Sequence, residues 1–422
     1  MATVPAVRIP PKLLLALSLV VGAALVAGAC SSSDAADAPT TTATARGGTT
    51  PVTAGEAVFT PIVASVLAPP IPVPTTDGKI HLAYELFVTN AVGQDITISS
   101  ITAESDGTSL QELSGATLPV SMKVFGATEP TATFGPGQSG LVWMDVVVAT
   151  DADVPSSIEH VIDVVPSAPN PPLLPATLSE EHIAITAVSD QEPIVIASPL
   201  SGDNWLNGNG CCEVTPHRGA VSPLSGAMWA PERFAIDYVQ LDAQDRLYEG
   251  PIDQLSSYAY YGAEIHAVAP GKVVAVVDDL PQQTPGANPT GLPVDQYGGN
   301  HVVQDIGGGH YAFYAHLETG DGVKVKVGDE LSTGDVVGLL GNSGNSDSPH
   351  LHFHIMDGPD PLASNGLPFV FSSFTLAATM PDDASIGALF TGQPAQLTPG
   401  VTATEETDVM PLYREIDDYP SS

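Results

Sequence analysis

Positive charge is what this 422-residue chain has least of: 12 Lys and Arg stand against 48 Asp and Glu, a formal net charge of −36. Such a surface repels nucleic-acid phosphates and gains nothing from anionic lipid head groups, which argues against nucleic-acid binding and against electrostatic membrane binding. Cysteine is also scarce, at 3 residues, too few for a disulfide scaffold. Cys211 and Cys212 are adjacent, so a vicinal disulfide, two free thiols and soft metal ligation all remain open. The apolar run Leu13–Ala27 is too short to span a bilayer comfortably.

That run comes after Arg8 and Lys12 and ends in Ala27-Gly28-Ala29-Cys30, so residues 1–30 read as a secretory signal with a lipobox-like end. The expectation is an exported lipoprotein of the cell envelope, held to the outer side of the membrane only through a lipid anchor on Cys30. Residues 31–55 are Ser, Ala, Thr, Gly and Pro with little to bury, a flexible tether.

What is abundant is turn and strand chemistry. With 40 Gly, 39 Pro and many Val and Thr runs, the chain reads as mainly β. Over 56–187, strand candidates such as Ile80–Asn90, Ile96–Glu104, Gly140–Val148 and His160–Val165 are separated by turns such as Asp106-Gly107 and Pro136-Gly137. This pattern predicts a β-sandwich of immunoglobulin-like type, without a chemical constellation, since His81 and His160 are isolated. Residues 188–379 form the second domain, and 380–422 an acidic, Pro-rich tail, mobile apart from a docked Met410–Tyr413.

Chemistry concentrates in Pro349-His350-Leu351-His352-Phe353-His354-Ile355. On a strand, side chains alternate between faces, which gathers three imidazoles on one side and Leu351, Phe353 and Ile355 on the other. Upstream lie Asp237 on a strand candidate, Tyr314-Ala315-His316-Leu317 at the end of a hairpin, Val327-Gly328-Asp329, and the loop Gly341-Asn342-Ser343-Gly344. The segment 278–300, rich in Pro, Gly and Gln, reads as a surface loop beside the groove.

In this order, over about Arg233–Met356, these motifs resemble the lysostaphin and LytM-type zinc endopeptidases, which cut peptide crosslinks in bacterial peptidoglycan. The resemblance implies a β-rich groove domain with zinc at its floor, Asp237 and His352 as metal ligands, and His316 and His350 as the catalytic pair. Zinc with three protein ligands keeps a position for water, while a nearby imidazole handles the proton. The family's remaining ligand, a His four residues before the Asp, is here Arg233, whose guanidinium has no lone pair to offer.

Three arrangements can accommodate that arginine. His217 or His354 substitutes as ligand. Alternatively, Arg233 pairs with Asp237, leaving a metal-free groove that binds peptidoglycan or regulates a partner cell-wall hydrolase. Or Arg233 meets a substrate carboxylate while zinc is held loosely. Retention of Asp237, His316, His350 and His352 together favours the zinc hydrolase. Residues 323–341 also resemble the hairpins of biotinyl and lipoyl carriers, but offer no lysine at a suitable turn.

Overall fold

The computed structural model describes residues 58–420. Signal, Cys30 and tether lie outside the described residues. Alternation organises the first part: Ser157–Pro166 buries Ile158, His160, Ile162 and Val164 and turns the residues between them outward, as a strand with one face on a core must. It lies between Leu178–Ala187 and Ile96–Ser105, and the latter continues the sheet to Thr108–Ser114. A second antiparallel sheet runs Ile62–Val66, Ile80–Asn90, Ser139–Val148, Met122–Val124. The two sheets share one core, with Leu82, Tyr84, Leu86, Val142 and Met144 meeting Ile98, Ile101, Ile162 and Val164.

Ile80–Asn90 departs from alternation, being buried along almost its whole length. Its inner face carries Leu82, Tyr84 and Leu86. Its outer face carries Ala83, which belongs to the larger core of the rest of the chain, and Glu85, which is fully buried. The two-sheet region is therefore covered on one side by the C-terminal part of the chain.

That second part is built on a long sheet in which Gly271–Val277, Asn300–Gly307, His310–Leu317, Leu351–Met356, Ile236–Gln240, Gly202–Gly208, Glu415–Tyr419 and Phe374–Thr379 lie in this spatial order. Leu351, Phe353 and Ile355 are wholly buried, with Phe353 edge-on to Phe369 and Phe369 edge-on to Phe371. This apolar anchor fixes which face of the strand carries the histidines, because slipping it by one residue would reverse both faces.

One expectation is corrected. The C-terminal segment is folded: Asp383–Leu389 is helical, Asp382 caps it by accepting from the Ser385 N–H at 2.8 Å, and Glu415–Tyr419 is an interior strand between Gly202–Gly208 and Phe374–Thr379. Acidic composition concealed a strand that is buried along almost its whole length. Lys326–Asp329 closes a turn in which Asp329 accepts from both the Lys326 backbone and its ammonium.

At the seam between the two parts, Glu85 lies against two buried guanidiniums. Arg233 Nε is 3.0 and 2.8 Å from the two Glu85 oxygens, and Arg218 Nε is 3.3 Å from Oε1. Cys211 and Cys212, both buried, are joined as a disulfide.

Candidate metal centre and active site

Strand register assembles the centre. Asp237 is the direct partner of His352 across the antiparallel pair Ile236–Gln240 and Leu351–Met356, and Ala315 is its partner on the other side. Directly opposed residues share a face and place their side chains in contact, and His352 Nδ1 lies 3.0 Å from Asp237 Oδ1. His350 precedes the strand on the same face, its Nε2 3.4 Å from Asp237 Oδ1.

His316 comes directly after Ala315 and would point to the opposite face in a regular strand. A bulge redirects it. Asn300 pairs with Leu317 and Val302 with Tyr314, so Ala315 and His316 together oppose His301 alone. His316 takes φ +62°, the left-handed region that non-glycine residues seldom enter. Its ring consequently lies 4.5 Å from that of His350 and 5.9 Å from that of His352, centroid to centroid.

His217 completes the group. It sits on the single helical turn Pro216–Gly219, with Nε2 3.1 Å from Asp237 Oδ2 and its ring 4.7 Å from that of His352. The ligand atoms of His217, Asp237 and His352 all lie within 4.8 Å of one another. Arg233, by contrast, points away to Glu85. The expected alternatives in which it pairs with Asp237 or meets a substrate are corrected: it is 5% exposed and spent on a carboxylate from the first part of the chain. His354 forms a layer behind His352, with His354 Nδ1 3.0 Å from His352 Nε2.

Two imidazoles and a carboxylate are a donor set that zinc takes, and donors around a tetrahedral zinc stand about 3.3 Å apart, close to the 3.0–3.1 Å contacts seen here. Hydrogen bonding at the outer nitrogens agrees. His217 Nδ1 donates to the Ala235 carbonyl at 3.0 Å, which turns the Nε2 lone pair towards Asp237. When His352 Nε2–H donates to His354, the His352 Nδ1 lone pair faces a carboxylate oxygen at 3.0 Å. Two acceptors that close need a cation between them. The residues fit a zinc ion.

Without metal, a proton plays that part. Burial opposes charging His217, but the Asp237 carboxylate outweighs it and raises the imidazole to about 9. For Asp237, burial favours the neutral acid, yet His217 and His350 together hold its carboxyl well below the ordinary range. His316 moves the other way: burial, then the neighbouring His350 and His352, push it well below 6.5 and keep it neutral. Its Nδ1 donates to the Ser343 carbonyl at 2.7 Å, leaving Nε2 as an acceptor. His350 Nδ1 lies 2.9 Å from the Ser348 carbonyl.

These groups line a cleft of about 970 Å³, together with Asn209, which donates to Asp237 Oδ2 at 2.8 Å, and His301. The 278–300 loop contributes Asn288, Pro289, Val294, Asp295 and Tyr297 to its wall. His301 lines the cleft although no motif marked it. Asn300 does not: it is fully buried and bonds to Leu280 and Leu317. Among the described residues, His81, Asp145 and Cys212 also approach one another, but the Cys212 sulfur is bonded to Cys211 and offers no thiolate.

Residues 255–364, about a quarter of the chain, match the sequence profile of Peptidase family M23. The chain is 35% identical over 79 residues to the glycyl-glycine endopeptidase ALE-1 of Staphylococcus capitis, covering 18% of this chain and 21% of that one. It is 38% identical over 60 residues to the peptidoglycan DD-endopeptidase ShyA of Vibrio cholerae, covering 14% and 13%. Endolysin 2638A of Staphylococcus phage 2638A is 33% identical over 81 residues, covering 18% and 16%. The chain thus spans 13% to 21% of the length of these relatives. Among solved structures, the catalytic domain of lysostaphin from Staphylococcus simulans aligns at 21% identity and a TM-score of 0.22, covering 39% of this chain and 88% of that one. The profile match includes His316, His350 and His352 but neither Asp237 nor His217.

Proposed function

We propose that this chain, which carries a peptidase family M23 domain, hydrolyses peptide crosslinks of bacterial peptidoglycan, with zinc held by His217, Asp237 and His352. The observation that carries the reading is the convergence of those three donors in a cleft that His316 and His350 also line. Similarity to proteins named as a glycyl-glycine endopeptidase and a peptidoglycan DD-endopeptidase supports the substrate class.

Zinc, when bound, supplies a Lewis acid that acidifies water and polarises the scissile carbonyl. The chain's own groups supply the rest. His316 Nε2, neutral and directed into the cleft, accepts a proton from the attacking water and returns it to the leaving amine, so that a C–O bond forms as the C–N bond breaks. His350, held at Nδ1 by the Ser348 carbonyl, presents Nε2 beside the developing oxyanion. The wall carries Glu232, Asp295, Asp347 and Asp360 and no Lys or Arg among the described residues. That field favours peptide stems with free amines over those rich in carboxylates.

Elemental analysis of the purified chain, joined to chromatography of muropeptides released from cell walls, tests this: about one zinc per chain is expected, with release stopped by chelation and by His316→Ala. A zinc-free chain after reconstitution, or release untouched by His316→Ala, would overturn it. Export and a lipid anchor at Cys30 belong to the same proposal. The Cys211–Cys212 disulfide suits an oxidising compartment, and mass spectrometry showing a mature N-terminus other than a modified Cys30 would refute the anchor.

A further inference from the structure

The turn that carries His217 has little of its own to hold it beyond Thr215, whose hydroxyl donates to the Asn209 carbonyl at 3.0 Å. Pro216–Gly219 is 4 residues long, and an isolated helical turn of that length is unstable in water. The Ala235 carbonyl fixes the rotation of the imidazole but does not anchor the turn. Its anchor is the next residue. Arg218 is 1% exposed and is fastened through both its backbone and its side chain. Trp143 Nε1 donates to the Arg218 carbonyl at 2.6 Å. Arg218 Nη2 donates to the carbonyls of Tyr84 and Met144 at 3.2 and 3.1 Å, Nη1 to that of Cys212 at 2.9 Å, and Nε lies 3.3 Å from Glu85. All of these partners except Cys212 belong to two adjacent strands of the two-sheet region, Ile80–Asn90 and Ser139–Val148.

Glu85 also receives Arg233, the residue standing where the resemblance places a metal ligand. One buried carboxylate therefore organises both consequences of that replacement. It occupies the arginine, and it helps seat the turn that brings a different histidine to Asp237.

We propose that the two-sheet region is a positioning element of the metal centre, with Glu85 and Trp143 aiming His217 through Arg218. The inference rests on the reading of His217, Asp237 and His352 as ligands. It makes metal affinity in one part of the chain depend on a contact with the other, as outer partners of metal-bound histidines are known to tune affinity.

The test is competitive titration of the full chain with Zn(II) against a chromophoric chelator, together with the visible absorption of the Co(II)-substituted protein. Trp143→Phe removes one donor and little volume, and should lower zinc affinity roughly tenfold while the chain stays folded by circular dichroism; Glu85→Gln should lower it by up to about a hundredfold. Val88→Ala, in the two-sheet core away from the turn, should reduce stability and leave affinity unchanged. If Glu85→Gln does not fold, Trp143→Phe and Arg218→Lys decide the matter. Folded variants at both positions that bind zinc within about twofold of the parent would overturn the positioning role and leave the ligand reading standing. A parent chain that takes up no zinc would overturn the ligand reading itself, and this inference with it.

Discussion

Two charged clusters flank the turn Pro216–Gly219, and they differ in what they leave accessible. On one side Glu85, Arg218 and Arg233 are all buried, and the carboxylate is occupied by two guanidiniums. Burial would raise the Glu85 carboxyl, but Arg233 and Arg218 outweigh it and hold the group below its ordinary value. On the other side His217, Asp237 and His352 aim their donors at one spot that opens into a cleft. The closed cluster does nothing but hold position. The open one presents its donor atoms to a cleft, where chemistry can reach them. At the position where the resemblance places a ligand histidine, Arg233 belongs to the first kind of cluster and not to the second.

The strongest way to break this contrast is to alter each cluster once. Asp237→Asn should abolish zinc uptake and lower crosslink cleavage by on the order of 10³-fold, with the fold intact. Arg233→His, which restores the residue that the resemblance expects, should gain no zinc affinity, because His217 already holds the place. It should also destabilise the chain by about 3–5 kcal/mol in denaturant titration, since Glu85 loses a buried partner. Tighter zinc binding in Arg233→His would show that His217 is not the ligand.

Acidity separates the clusters next. In the metal-free chain His217 is raised to about 9 from an unfolded value near 6.5, so the stability from its pairing with Asp237 is complete below pH 6.5 and is lost as pH rises through 9. The slope of a urea-denaturation series over that window should reach up to about 1.4 kcal/mol per pH unit, and His217→Gln should flatten it. Glu85 is shifted down rather than up, so its contribution should stay constant from pH 6.5 to 9. A slope that survives His217→Gln would locate the titration elsewhere.

The open cluster was mostly legible in the sequence, and the closed one was not. Period-two alternation is a local property, so Leu351, Phe353 and Ile355 facing the core already implied that His350, His352 and His354 face the other way. Asp237 and His316 were marked by short motifs around them. His217 was only one of two substitutes, because its place is set by contacts with strands some 70–130 residues earlier in the chain; the Pro216 that starts its turn was a faint local sign. Glu85 gave no sign at all. A lone acid on an alternating strand looks like a solvent-facing residue until a second layer covers it. The acidic tail misled for a related reason, since Asp417 is fully buried within an interior strand.

Behind the open cluster, His354 distinguishes support from ligation. If it acts only by accepting from His352 Nε2–H, His354→Gln, which keeps an acceptor, should retain most of the zinc affinity, whereas His354→Leu should lose about tenfold in the same chelator competition. Equal and complete loss in both would make His354 a ligand after all.

The smallest effect concerns His316, where the open cluster depends on a costly backbone. Its φ of +62° carries the ring across the sheet to the cleft face, and a left-handed conformation costs a non-glycine residue roughly 1–2 kcal/mol. Both His316→Ala and His316→Gly remove the acceptor nitrogen, so both should be inactive. They should differ in stability, with the glycine variant more stable by about 1 kcal/mol in urea denaturation because it occupies that region freely and the bulge requires it. If alanine proves the more stable, the backbone has relaxed from the bulge. The conformation would then be imposed by the histidine's bond to Ser343, not by the paired strands, and the ring rather than the sheet would be what sets the cleft face.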